Sequence, residues 1–354
     1  MFPGIIPISF PNYQKVEEDF TVIAADVGGT KTHLALFRLK NEELILIRDQ
    51  KFASQDYPSF SAIVKEFEHD DHTPNSLCIG FAGPVMNNFA HATNLSWSID
   101  GDFLRKNLDI PKVYIINDLE SSAFGLAALK KEDFITLDKG NPERKGNGAI
   151  IAPGTGLGEA GLFWDGSHFH PFATEGGHTD FGTRNETDIA LYQYLTKKYG
   201  HVSWERVASG MGIFELYNFL LQYRKADELS WMKEKIATID PAAAVSFGAK
   251  NGCPISEETF RLFWRYLAAE SANLALKLKA TGGLFIAGGV APKNLDVFNQ
   301  QIFMEYFYEA GRMRPMLQEV PVHIVINQST SLLGAALYGF FGPEVKTVSK
   351  QTIK

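Results

Sequence analysis

Cysteine is nearly missing from this sequence. Two occur in 354 residues, Cys78 in LCIGFAGP and Cys253 in NGCP, and neither has a CxxC partner. That excludes a disulfide framework and a cysteine zinc site, and it fits a reducing cytosol. An excess of basic residues is missing too. A formal net charge of -7 offers no surface for gathering nucleic acid or anionic lipid by bulk electrostatics, although a local pocket can still hold phosphate on backbone N–H groups. No apolar run approaches a membrane span. The opening residues MFPGIIPISFPNYQK lack the basic start and continuous apolar core of a signal peptide, and residues 1–19 read as a short extension ahead of the first strand. No low-complexity linker interrupts the rest.

What is present is enough for two ordinary domains, with 45% hydrophobic and 21% charged residues. Segment 21–37, TVIAADVGGTKTHLALF, is an apolar run, a glycine turn and an alternating run, which predicts strand, tight turn, strand. Segment 148–164, GAIIAPGTGLGEAGLFW, has the same grammar. Sliding it by 126 residues lays Gly28 on Gly154, Leu36 on Leu162 and Phe37 on Phe163, so the chain contains two related halves. The second stretch also spells G-x-G-x-x-G at Gly156, Gly158 and Gly161. A dinucleotide fingerprint needs those glycines to open a helix, whereas Asp165-Gly166 just beyond them is a hairpin turn signal. The alternatives are a hairpin whose amides approach a phosphate with no Cβ in the way, or a purely structural tight turn.

Strands and helices interleave elsewhere. KVYIIND, 112–118, reads as a strand ending at Asn117-Asp118, followed by a helix. SFSAIVKEFEHD sets Phe60, Ile63, Val64 and Phe67 at helical spacing. A longer helix carries Phe260, Phe263, Leu267, Ser271, Leu274 and Leu278 on one stripe and is expected to stop at Gly282-Gly283. LFIAGGVAPKN gives a buried strand and a Gly288-Gly289 turn. The pattern predicts an α/β fold with mixed sheets.

Candidate chemistry lies where strands end. Asp118 reads either as a helix N-cap or as a ligand group at a strand's C-terminal edge. TEGGHTDF brings Glu175 and His178 together across two glycines, and Glu205 lies in HVSWERVASG. His69, Asp70, Asp71 and His72 read as a polar loop after a helix rather than as metal ligands, and His168 and His170, two apart on a short strand, are not read as metal ligands either.

Taken in order, DVGGTKTHLAL, IIND, APGTGLGEAGL, EGGHTDF, VSWERVASG and FIAGGVAPKN resemble the bacterial ATP-dependent glucokinases of the actin-like, sugar-kinase and Hsp70 ATPase superfamily. The resemblance runs from about Thr21 to near Leu337. It implies two ribonuclease-H-like domains with a cleft between them for glucose and ATP: a small one of residues 20–118 plus 327–354 and a large one of 119–326. It implies that Asp118 is the catalytic base, with Asn94, Asn117, Glu175, His178 and Glu205 on the sugar. Gly28, Gly29 and Thr30, with Gly154, Thr155 and Gly156, would hold ATP phosphates, and Gly288 and Gly289 would border the adenosine. Asp26 suits the water shell of Mg²⁺, an ion that needs few protein ligands. A cytoplasmic homodimer binding neither nucleic acid nor membrane is implied as well. Lys31 departs from the usual Asn of the glucokinase hairpin and matches the related repressor, open-reading-frame and kinase proteins. That group's cysteine-rich zinc motif is missing, which favours the glucokinase branch. A kinase of another hexose or N-acetylhexosamine, or a sugar-responsive protein without turnover, stays open on this reading.

Overall fold

In the computed structural model, residues 5–14, 16–17, 19–68, 73–91 and 95–344 are described. The expected first hairpin is β1 (Thr21–Val27) and β2 (Lys31–Lys40), antiparallel, with Val27 opposite Thr32. Long β3 (Glu43–Ala53) extends it on one side, and β4 (Ser76–Phe81) and β8 (Lys112–Asn117) continue it in parallel on the other. The order is β3-β2-β1-β4-β8. The strands β5 (Val85–Met86), β6 (Phe89–His91) and β7 (Ser98–Asp100) form a small separate sheet. Because β4 is buried at every position, its sequence is a continuous apolar run rather than an alternating one.

Helices α1 (Phe60–Phe67), α2 (Gly101–Asn107) and α3 (Asp118–Gly125) and the C-terminal α12 (Thr330–Phe341) belong to the same unit. Ser59 caps α1 by accepting from the Ala62 amide, and the predicted stripe Phe60, Ile63, Val64 and Phe67 is buried in a core shared with Ile23, Val27, Leu34 and Phe81. This unit spans Met1–Lys131, Ser167–Pro171 and Ser329–Lys354. It includes α3 because α3 packs on α12.

The segment expected to be a mere extension is built into that unit. Ile8 and Phe10 are buried. The Ser9 amide donates to the Phe169 carbonyl and the Phe169 amide to that of Pro7, both at 2.8 Å, which ties residues Ser167–Pro171 to the unit. Phe10 stacks on Phe124 at 5.4 Å and tilts against Phe341 at 5.5 Å.

The second unit, Glu132–Gly166 and Phe172–Gln328, repeats the plan. Its sheet comprises β9 (Phe134–Asp138), β10 (Gly148–Pro153), β11 (Leu157–Trp164), β12 (Phe169–Thr174, of which Phe172–Thr174 fall in this unit), β13 (Gly283–Ile286) and β14 (Val322–Val325), in the order β12-β11-β10-β13-β14-β9. Again an antiparallel hairpin leads and parallel strands follow. The offset of the two halves slips, however. Pro153 pairs with Leu157 where Val27 pairs with Thr32, so the second turn is one residue shorter, and Gly161 rather than Leu162 is the counterpart of Leu36.

Helices α4 (Glu186–Tyr199), α5 (Gly210–Arg224), α6 (Ser230–Thr238), α7 (Pro241–Lys250), α8 (Pro254–Leu278), α9 (Val290–Lys293), α10 (Gln300–Phe307) and α11 (Arg314–Leu317) complete the unit. The expected stripe on α8 is buried from Phe260 to Leu274, with Leu278 partly so. The helix does not reach Gly282-Gly283. It ends at Leu278, where Lys279 turns left-handed at φ 52° and its amide bonds back to the Ala275 and Leu276 carbonyls, a closure usually left to glycine.

Phe10→Ala removes a ring wedged against two others and is expected to destabilise the first unit by about 3 kcal/mol. Thermal unfolding checks this, and an unchanged Tm would show that the N-terminal segment is attached without contributing to the unit.

Candidate active site

In the first unit two chain reversals carry the expected residues. The turn Gly28-Gly29-Thr30 closes with the Gly28 amide on the Lys31 carbonyl at 2.9 Å. Ser54 braces it from outside: its amide donates to the Thr30 carbonyl at 3.0 Å and its Oγ to that of Gly28 at 2.9 Å. Asp26, one residue before the end of β1, accepts from Ser331 Oγ at 3.2 Å. Burial raises the Asp26 pKa, while Ser331 and nearby His33 oppose the rise.

The second reversal is the end of β8. Here Asn117, not Asp118, is the helix cap. Its Oδ1 accepts from the amides of Leu119 at 2.9 Å and Glu120 at 3.3 Å, and its Nδ2 donates to the Gly83 carbonyl at 3.2 Å. Asp118 is thereby the first residue of α3, half-buried, with Oδ1 accepting from the Leu119 amide at 3.0 Å. A carboxylate at that position gains from the positive end of the helix. Asn94 lies outside the described residues, as do His69, Asp70, Asp71 and His72.

In the second unit the turn Gly154-Thr155-Gly156 is tightened by the Gly154 amide on the Gly156 carbonyl at 2.9 Å. The first amides of α5 take its carbonyls, Gly210 to Gly154 at 2.8 Å and Met211 to Thr155 at 3.3 Å. Since a trans peptide points its N–H opposite to its C=O, the amides of Thr155 and Gly156 face away from α5. Gly158 and Gly161 lie inside β11, so no helix opens at these glycines and the dinucleotide reading falls. Gly154 and Thr155 border a cavity of about 700 Å³, together with Arg206, Gly210, Asp240, Gly289 and Lys293 among others. Gly288, at φ 77° against the Pro153 carbonyl, turns the chain from β13 towards Gly289 and α9.

Glu175, Gly176, Gly177 and His178 form a short turn in which the His178 amide donates to the Glu175 carbonyl at 3.1 Å. The glycine pair is there for space: a Cβ on Gly176 would strike Glu159 Oε2, and one on Gly177 the Leu157 carbonyl. The loop lies flat on β11 and leaves Glu175 and His178 exposed. Glu205 joins the pieces. Its Oε2 accepts from the Leu157 amide at 3.0 Å, next to the glycine turn. Its neighbour Trp204 donates its amide to the Thr179 carbonyl, also at 3.0 Å. Sequence reasoning missed Ser54, Gly210 and Met211, which brace backbone carbonyls, and Ser331, whose hydroxyl bonds the Asp26 carboxylate; only Ser209-Gly210, a helix-start signal, announced any of them.

Among the described residues no group of three or more His, Cys, Asp and Glu could hold a metal ion, and no helix is long and apolar enough to cross a membrane.

Two sheets of one plan, each with a glycine hairpin between its leading strands and parallel strands beyond it, are those of the actin-like ATPase fold. A glucokinase family profile matches residues 23–340. The glucokinase of a Nostoc species is 40% identical over 334 residues, covering 89% of this chain and 98% of that one, and the glucokinase of Synechocystis is 37% identical over 342 residues, covering 89% and 96%. Among solved structures, the glucokinase of an Antarctic psychrotroph superposes with a TM-score of 0.76 at 28% identity, over 90% of this chain and 98% of that one. A ROK-family glucokinase from Streptomyces griseus, solved with glucose and AMPPNP, shares the fold at 20% identity and a TM-score of 0.62, over 90% and 99%. The chain belongs to the glucokinase family.

A Cβ at Gly154 would meet no protein atom nearer than the Gly156 carbonyl at 4.0 Å, so Gly154→Ala is expected to fold normally. If the turn holds phosphates, the methyl group raises the KM for ATP about tenfold or more and leaves glucose affinity unaltered. An unaltered ATP KM would show that the turn is structural only.

Proposed function

We propose that this protein transfers the γ-phosphoryl group of ATP to the 6-hydroxyl of glucose. The observation that carries the reading is Glu205, which bonds the glycine turn at Leu157 while its own turn is tied to the Glu175–His178 loop. One unit thereby couples a candidate phosphate hairpin to a cluster of hydroxyl-binding side chains. The relatives named glucokinase support the same substrates.

Asp118 is the general base, taking the proton of the attacking hydroxyl as the bond to phosphorus forms. Asn117, Glu175, His178 and Glu205 bind sugar hydroxyls, with Asn94 as a further contact. Asn117 spends its Oδ1 on capping α3, so its contribution to the sugar comes through Nδ2 or through placing Asp118. Gly28, Gly29, Thr30, Gly154, Thr155 and Gly156 present backbone amides to the phosphates, and Gly288 and Gly289 border the adenosine. The cavity of about 700 Å³ beside Gly154 and Gly289 has the size expected for a nucleotide site.

Mg²⁺ fits one residue. Asp26 is a single, partly buried carboxylate beside the glycine turn, a donor set that suits an ion keeping most of its own water. When bound, the ion neutralises charge on the transferring phosphoryl group. The reading extends to a cytoplasmic homodimer, as the family resemblance implies; the buried, unpaired thiols of Cys78 and Cys253 support a reducing compartment.

A screen of ADP release over hexoses tests the substrate, with kcat/KM for glucose expected to exceed that for mannose, fructose and N-acetylglucosamine by at least about tenfold, because hydroxyl-binding groups desolvated by the bound sugar are left unpaired by the wrong one. Equal or better turnover of another hexose would transfer the assignment to that sugar. Asp118→Asn is expected to lower kcat by roughly 10²- to 10⁴-fold with glucose affinity kept within about tenfold. Retention of more than about a tenth of kcat would remove Asp118 as the base.

A further inference from the structure

The glycine-rich stretch GTGLGEAGL contains one residue that the proposed reaction leaves unused. Glu159 stands in β11 among glycine, alanine and leucine, and its side chain is 1% exposed; Glu270, on α8, is fully buried. Among the described residues, neither carboxyl oxygen of Glu159 has a hydrogen-bond donor within reach. Glu270 is better supplied, with Asn273 Nδ2 donating to Oε2 at 2.8 Å and Lys277 Nζ to Oε1 at 3.1 Å. Carboxylates only accept, so these two satisfy each other only when a proton lies between them.

Their energetics agree. Burial pushes the Glu159 carboxyl up to about 8, the Glu270 charge adds to the rise and the Lys277 charge opposes it. Burial also raises Glu270, against bonds from Asn273 and Lys277. From β10 the facing residue is the uncharged Ile151. On its other edge β11 pairs with β12, which ends at the uncharged Thr174, and above Glu159 lies the loop with Glu175 and His178. Thr174 Oγ1 donates to the Glu159 carbonyl at 2.9 Å, and Gly176 lies so close that a Cβ would overlap Glu159 Oε2.

We propose that Glu159 and Glu270 are positioning residues sharing one proton that holds the Thr174–His178 loop in place, and that loss of the proton at alkaline pH loosens glucose binding. This rests on Glu175 and His178 being sugar ligands. Deprotonation places a second negative charge where only Lys277 offsets it. The carboxylates separate, and Gly176 moves with the oxygen it lies on, taking Glu175 and His178 along. The sign is fixed by the raised pKa. Stability due to the proton is complete below the ordinary carboxyl value of 4.5 and is lost as pH climbs to about 8.

Calorimetric glucose titration of the full chain tests this at about pH 7 and about pH 9. If only the protonated pair binds well, the wild-type Kd rises about tenfold between them. In Glu159→Gln the amide donates to Glu270 at every pH, and the Kd is expected to change less than about twofold; Glu270→Gln, with the donor on the other side, behaves alike and serves if the first variant fails to fold. Wild-type Tm also falls relative to Glu159→Gln between about pH 5 and about pH 8. A flat wild-type Kd, or the same rise in both Gln variants, overturns the proposal. Glu175→Gln separates the two layers: it weakens binding already at about pH 7 if the loop holds sugar. Unchanged binding there overturns the sugar-loop reading and the proposal with it, while the Tm comparison still reports whether the proton is shared.

Discussion

The packing of α3 on α12 is the constraint from which the first unit's chemistry follows. The helices approach so closely that a Cβ on Gly125 would run into the Thr330 carbonyl and one on Gly334 into that of Ser121. Ser121 Oγ completes the contact by donating to the Ser331 carbonyl at 2.7 Å. Small residues are the general means of bringing helix backbones closer than the usual 8–10 Å. Two consequences appear at the N-terminal ends of these helices. Asp118 opens α3, and Ser331, in the first turn of α12, meets Asp26 at the end of β1. The proposed base and the proposed metal-holding carboxylate are therefore placed by the same helix pair. Phe10 covers Phe124 and Phe341, one from each helix, so the N-terminal segment reinforces the crossing.

If the two hairpins hold phosphates, as proposed, they meet one requirement by different means. Amides can approach an anion only where side chains are absent and where the turn's own carbonyls are engaged elsewhere. In the first hairpin a serine from the end of β3 takes the carbonyls of Gly28 and Thr30. In the second, the first two amides of α5 take those of Gly154 and Thr155. The second solution anchors the turn on the start of a 15-residue helix and leaves the amides of Thr155 and Gly156 on the opposite side.

Much of this was legible in the residues. Periodicity gave away α1 and the body of α8, and alternation around glycine turns gave both hairpins, because those patterns report burial on one face, which the tertiary structure then honours. Helix ends were less legible: Lys279 closes α8 without glycine, and Asn117 takes the cap that Asp118, its neighbour, serves equally well in principle. The register slip between halves was invisible because one residue lost from a turn leaves the alternation on either side intact. The glycines of EGGH were read as letting Glu175 and His178 converge on a ligand; that the fold also needs them to lay the loop on β11 left no mark in the sequence. Nothing in sequence marked Ile8 and Phe10 as core, since two apolar residues among prolines show no period. Glu159 was hidden for a similar reason: a single polar residue in a strand is ordinarily taken to face water.

Two buried carboxyl sites in the second unit show how such a residue is tolerated. Asp188 accepts from Arg265 Nη2 at 3.0 and 2.9 Å, from the Tyr266 hydroxyl at 2.9 Å and from the Arg184 amide at 2.9 Å. Every oxygen is supplied and an opposite charge is present, the condition under which a buried ion is retained as structure. Glu159 has neither donor nor direct counter-charge, and its partner is another acid. Both sites are served by α8, through Arg265 and Tyr266 at one and Glu270 at the other, so the same helix could have carried a base in either place. A fold selected only for stability would replace Glu159 by an apolar residue of similar volume, which such comparisons show to be neutral or better. Glu159 instead lies directly under the loop bearing Glu175 and His178, where the shared proton we propose gives each acid the partner that an apolar residue would not need.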